Sequence, residues 1–211
     1  MSIAEQIRLQ ISQNVAVMGH EIHREDHFTV QLYAQLWPEL GNRILYSTGL
    51  YVDQLIPRIR GTFAEAILSE RLTNAKDFYA DLIVTDPFQK GSRACTLSIA
   101  DFIESVRVTH LYEFKYLTSF PTLPRKVARE DTYKLQVMGQ YVLAVTGQMP
   151  HLEQFVVLSN RLAQRVHTVE SLQNWFSDAA FRKETQDVSI SIVDTHGQIH
   201  QGKPSESTSD C

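Results

Sequence analysis

Apolar residues at Ile3, Ile7, Ile11 and Val15 recur every four positions and predict a helix over 3–17. A polar, histidine-bearing stretch follows from Gly19 to His27. Phe28 to Leu36 reads as a second helix, ended by Trp37-Pro38 and Gly41-Asn42. The pattern from Ile44 to Leu55 fits either helix or strand. Gly61-Thr62-Phe63-Ala64-Glu65 opens the next helix, predicted to reach about Thr73. Thr62 and Glu65 have capping-box spacing there, and Phe63, Ala66 and Ile67 share a face. Two apolar runs, Phe78 to Val84 and Thr109 to Leu117, read as strands. Between them, residues 88–105 carry a Lys-Gly-Ser turn and read as an insertion. Ser119 to Arg129 holds two prolines and reads as a loop. Asp131 to Val145 is helical in pattern and stops at Gly147 and Pro150. A short buried strand at Phe155 to Leu158, a helix over Ser171 to Phe181 and a terminal hairpin from Val188 to Ile199 complete the prediction. The tail over 202–211 is polar and is expected to be disordered. The order helix, strand, insertion, strand, helix, strand predicts an α/β chain whose central mixed sheet is flanked by helices. It is read as a single domain over 1–201, with a helical N-terminal extension over 1–55 and a core over 61–160.

Composition narrows the class. The chain of 211 residues is 43% hydrophobic and 21% charged, which suits a folded domain with a substantial core. A net charge of −4 argues against a broadly polybasic binder but leaves room for a local basic cleft. Two cysteines, Cys95 and Cys211, are too few for a disulfide framework or a thiolate zinc site. No apolar run approaches the roughly 20 residues of a membrane span, and no leader pattern opens the sequence. A soluble, cytoplasmic protein with no membrane partner is the expectation.

Charge inside the two apolar runs carries the chemistry. Asp81 closes the first, and Glu113-Phe114-Lys115 lies in the second. Charged residues are seldom buried unless paired or bound to a metal. Strand alternation puts Leu111, Glu113, Lys115 and Leu117 on one side and His110, Tyr112, Phe114 and Tyr116 on the other. Glu113 and Lys115 are then about 7 Å apart along the strand. If the Asp81 strand lies alongside, two carboxylates can hold one hard cation, Mg²⁺ or Mn²⁺, with the Phe114 carbonyl as a further ligand. Lys115 beside it could orient or help deprotonate an attacking water, or stabilise developing charge.

Asp81 followed about thirty residues later by Glu113-x-Lys115 resembles the PD-(D/E)XK nuclease superfamily. Restriction endonucleases, Holliday junction resolvases and RecB-type nucleases belong to that group. The resemblance covers roughly Thr62 to Leu158. It implies a restriction endonuclease-like core of a helix, three strands, a helix and a further strand, with divalent-metal-dependent cleavage of DNA, more in the manner of an endonuclease. Members often add a helical acid before the Asp, and Glu65 in the resolvase-like helix start fits that role. They also carry a polar residue on the helix after the lysine strand, where Gln136 and Lys134 stand. Ala80 occupies the place of the name-giving proline, and Gln136 and Tyr141 are one residue further apart than the RecB-type QxxxY spacing. Many small nucleases of this kind act as dimers, and a homodimer would let two sites address two strands.

Other features weigh less. Arg125, Lys126, Arg129 and Lys134 follow the lysine strand and could contact phosphates, or form a solvated face balanced by Glu130 and Asp131. His20, His23 and His27 have helical spacing, but the run is not HExxH, and a solvated linker is the plainer reading. No Walker loop, GxGxxG or GxSxG is present. An isolated E-x-K is common, so two rival readings stand: a non-catalytic nuclease-fold module that binds DNA or protein in a larger complex, and a structural ion pair in an unrelated α/β enzyme.

Overall fold

The near-continuous apolar runs of the two key strands are explained by a sheet covered on both faces. The computed structural model describes residues 1–18, 25–88, 103, 105–117, 125–158 and 167–201. In chain order the elements are α1 (Ile3–Met18), α2 (Glu25–Leu40), β1 (Ile44–Tyr51), α3 (Val52–Ile59), α4 (Phe63–Arg71), β2 (Asp77–Thr85), β3 (Val108–Leu117), α5 (Arg125–Thr146), β4 (His151–Leu158), α6 (Val169–Trp175), α7 (Ala179–Glu184), β5 (Val188–Val193) and β6 (Ile199–Gln201). Six strands form one sheet in the order β1-β2-β3-β4-β5-β6. β2 runs antiparallel to its neighbours β1 and β3, β3, β4 and β5 run parallel, and β6 turns back on β5. The chain is thus α/β, with a mixed sheet flanked by helices. None of the described helices is long and apolar enough to cross a membrane.

Each face has its own core. Ile7, Ile11 and Val15 of α1 and Phe28, Leu32 and Leu36 of α2 pack on Leu82, Tyr112, Phe114 and Phe155. The four-residue spacing seen in the sequence is what lays that apolar stripe along α1. Leu55, Ile67, Leu135 and Met138, from α3, α4 and α5, cover the opposite face against Ile83, Leu111, Leu117 and Val156. Leu111 and Leu117 therefore face one layer while Tyr112, Phe114 and Tyr116 face the other, the alternation expected of β3.

Several boundaries differ from the sequence reading. Residues 44–51, assigned to a helical extension, form edge strand β1, because Ile44 and Leu50 each find a core layer against β2. α2 does not stop at Trp37-Pro38. Pro38 sits in its last turn, where buried Leu36 and Leu40 keep the helix on the sheet. The helix expected over 171–181 is two short helices, because Asp178 begins α7 by capping Phe181 N–H at 2.9 Å. α5 starts at Arg125 rather than Asp131, so Arg125, Lys126 and Arg129 are helical and not in a loop. Most of the expected insertion, and the tail from 202, lie outside the described residues.

The β5–β6 hairpin fixes α1. Gly197, at φ +77°, closes the turn against the α1 backbone, and a Cβ there would stand 2.2 Å from the Ser12 carbonyl oxygen. Gly197→Ala combines left-handed strain with a backbone clash. It should cost about 2 kcal/mol or more of unfolding free energy, read by urea denaturation.

Candidate active site

β2 and β3 pair from Thr85↔Val108 as far as Leu82↔Tyr112, and there the ladder ends. Asp81 and Glu113 are the next residues on either side of that point. Beyond it, the Phe114 and Tyr116 amides on the β2 side of β3 have no strand to pair with, and two carboxylates take them instead. Asp81 Oδ2 accepts the Phe114 N–H at 2.8 Å, and Glu25 Oε2 accepts the Tyr116 N–H at 2.9 Å. Glu25 is the first residue of α2, where the helix dipole favours a negative charge. In a strand the N–H and C=O of one residue leave on the same edge, so the Phe114 carbonyl shares the gap that Asp81 caps.

Lys115 lies on the same side of β3 as Glu113 and is nearly buried. Its ammonium stands 3.2 Å from Glu25 Oε1 and 2.9 Å from Asp131 Oδ2 on α5. Lys134 approaches the other oxygen of Asp131 at 3.4 Å. Two carboxylates thus contact the ammonium, and the charge of Glu113 acts on it as well. Burial, partly offset by the Phe114 N–H and then raised further by Glu25, pushes the Asp81 carboxyl up to about 7. Crowding by the protein, then repulsion from Asp81 and Asp131, raises Glu113 well above the carboxylate range. Glu113 keeps some contact with solvent and accepts no hydrogen bond from the described residues. Burial pulls Lys115 down, but Asp131 and Glu25 outweigh it and hold the amine above its usual value, charged throughout the physiological range.

Capacity for a metal ion depends on the donors in reach. Among the described residues no three His, Cys, Asp or Glu side chains form a ready chelate. Mg²⁺ does not require one: it binds through one or two carboxylates and keeps several waters. Asp81, and Glu113 whose charge Asp81 disfavours, lie beside the buried Phe114 carbonyl and have the donor chemistry for such a site.

Asp81, Glu113 and Lys115 therefore share one neighbourhood. Glu65 does not join them: its Oε2 accepts the Gly61 N–H at 2.6 Å at the start of α4. The expected Thr62 side-chain cap is not made, and the Thr62 hydroxyl bonds the Ile59 carbonyl instead. Gln136 is also elsewhere. It is fully buried, donates to Asp187 Oδ2 at 2.7 Å and accepts the Asp187 N–H, which ties α5 to the start of β5. Arg125 and Arg129 bond the Trp175 carbonyl, and Lys126 pairs with Glu130 one turn on. His27 is exposed, whereas His20 and His23 lie outside the described residues.

Sequence reasoning missed Glu25 and Asp131. Asp131 left a signal: it falls in the stripe Ala128, Asp131, Leu135, Met138, Val142 that buries α5, where an acid is out of place without a partner. Glu25 left only the weaker signal of an acid opening an apolar-periodic helix. A second buried acid, Glu153, is plainly structural. Arg8 at 3.0 Å, His151 at 3.0 Å and Ser191 at 2.6 Å satisfy it and fasten α1 to the sheet. Burial would raise Glu153, but these three donors outweigh it and hold the carboxyl below its usual range. Arg8→Ala should therefore destabilise by about 1–3 kcal/mol at pH 7, with the difference shrinking under acid as Glu153 protonates; thermal denaturation across pH reads it.

Comparison of the chain with protein-family models, curated proteins and solved structures gave no match.

Proposed function

We propose that this chain is a divalent-metal-dependent nuclease of the PD-(D/E)XK type, acting on DNA as an endonuclease. The observation that carries the reading is the meeting of Asp81 and Glu113 where β2 and β3 part, with Lys115 next on the Glu113 side. The order α2, β1, β2, β3, α5, β4 supports it, being helix, three strands, helix, strand, with α3 and α4 set between β1 and β2. In this reading Glu25, not Glu65, is the helical acid, and Asp131 stands where a polar residue of the second helix was expected.

Asp81, Glu113 and the Phe114 carbonyl would hold Mg²⁺ or Mn²⁺, which when bound neutralises phosphate oxygens and lowers the pKa of a coordinated water. The protein's own part is positioning and charge. Lys115, kept protonated by Asp131 and Glu25, offers a fixed positive charge to the phosphate rather than a lone pair to a water proton. Asp81 and Glu113 release their protons on loading, so metal affinity should climb with pH up to and beyond about 7. Arg125, Lys126, Arg129 and Lys134 supply phosphate contacts along α5, and a homodimer would give each strand of a duplex its own site.

The second reading is a nuclease-fold module without catalysis. It draws on the neutralisation of Lys115 by two acids and on the lack of a ready three-group chelate among the described residues. Incubation with supercoiled, linear, single-stranded and branched DNA, in Mg²⁺ and in Mn²⁺, separates the two. Nicking or linearisation of the supercoiled form supports the endonuclease, and intact DNA of every form in both metals removes it.

A further inference from the structure

A cavity of about 1050 Å³ runs between α5 and the segment that joins α4 to β2. Six basic side chains line it, Arg71, Lys76, Arg125, Lys126, Arg129 and Lys134, against four acidic ones, on a protein whose net charge is −4. Four of the six are within 3.8 Å of an acid. Lys76 and Arg125 have no acidic partner among the described residues, and both are exposed.

The arginines are set in an unusual way. Arg125 and Arg129 stand one turn apart on α5, and both donate their Nε–H to the same acceptor, the Trp175 carbonyl, at 3.1 and 2.9 Å. One carbonyl thus holds two guanidinium groups side by side. Arg129 is further fixed over the Phe181 ring at 4.5 Å. Its terminal nitrogen Nη2 is buried, makes no hydrogen bond among the described residues and stands 3.8 Å from Asp178 Oδ2. Burial and then the neighbouring Arg125 charge disfavour its protonated form, and Asp178 offsets them only in part. Two like charges held together, of which only Arg129 has an acid near it, are offset best by an anion with several oxygens, and the planar fork of the exposed Arg125 suits phosphate.

We propose that this cavity is a track for the phosphodiester backbone of nucleic acid, with Arg125 and Arg129 as a phosphate clamp and Lys76 as a second contact on the opposite lip. The choice of nucleic acid rests on the nuclease reading. The track is connected to the cluster, since Lys134 lines the cavity and reaches Asp131, which holds Lys115. Its binding needs no metal, because none of its contacts involves Asp81 or Glu113.

The test is fluorescence anisotropy of a labelled DNA oligonucleotide, single-stranded and duplex, with the full chain in EDTA over a range of salt. Wild type should bind at least one form, and Lys76→Glu/Arg125→Glu should weaken it about tenfold or more, with a salt slope smaller by about 0.7 to 0.9 for each phosphate no longer neutralised. Arg60→Glu, an exposed charge reversal outside the cavity, should have little effect. Circular dichroism checks that each variant is folded. Absence of wild-type binding in EDTA, or equal binding by the double variant, overturns the proposal. Cleavage assays on the same proteins keep the two readings apart. Clamp-dependent binding without cleavage in any metal leaves the track and removes the hydrolase; cleavage with binding indifferent to the clamp does the reverse.

Discussion

Asp81→Asn should strongly reduce metal-dependent cleavage and at the same time make the ligand-free protein more stable at pH 8. Both effects come from one cause. Asp81 is largely buried among Glu25, Asp131 and Glu113, and its carboxyl is raised to about 7. A carboxyl raised in the folded state binds its proton more tightly there than in the unfolded chain, so ionising it works against folding. Below pH 3.8 the acid is protonated in both states and the penalty is absent; it grows as pH rises and is complete above about 7. Asparagine keeps an oxygen for the Phe114 N–H but carries no charge. The variant should therefore gain roughly 1–3 kcal/mol over wild type at pH 8, and nothing below about pH 4. Cleavage should fall by about 10²-fold or more. Urea unfolding at several pH values, run beside a nicking assay, reads both. A variant less stable than wild type at pH 8 would mean that Asp81 is a structural carboxylate and not one held for a cation.

The second large effect is at Lys115, and there the signs agree. Its ammonium compensates Glu25 and Asp131, and its raised pKa makes that contribution present throughout the range below the amine's ordinary titration. Lys115→Ala leaves a nearly buried acid at 131 facing other acids, and loss of one partner of such a pair costs about 3–5 kcal/mol. Cleavage should be lost as well. Stability alone could explain that loss, so the Asp131→Asn background matters: the pair of substitutions should cost clearly less than the sum of the two singles. If the folded double variant also fails to cut, while Asp131→Asn alone keeps partial activity, Lys115 acts on the substrate and not only on the fold. Additive stability changes would contradict the ion pair on which this role of Lys115 depends.

Much of this site was legible in the chain because strands report their faces locally. The odd and even sides of β3 follow from alternation, and both sort correctly into the two cores. The α1 stripe follows from its spacing in the same way. What failed was non-local. Glu65 has a fitting position in the sequence, but its nearest unmet donor is the Gly61 amide beside it. Gln136 faces Asp187, a partner 51 residues away that no helical pattern could indicate. Glu25 reaches β3 across 91 residues, because the end of the β2–β3 ladder leaves the Tyr116 N–H open. Where a ladder ends is a property of the folded sheet, and no residue type marks it. Likewise, the start of α5 at Arg125, right after Pro124, decides that two arginines share a helix face; read as a loop, they carried no such relation.

In the proposed function Asp81 and Glu113 together trap a hard divalent ion beside Lys115. Calorimetric titration of Mn²⁺ into the wild-type chain at pH 8 tests it most directly, with Asp81→Asn as the paired sample. Saturable binding that releases protons to the buffer is predicted for wild type, and its loss is predicted for the variant. Heat of dilution alone in wild type, or an unchanged isotherm in Asp81→Asn, would contradict it.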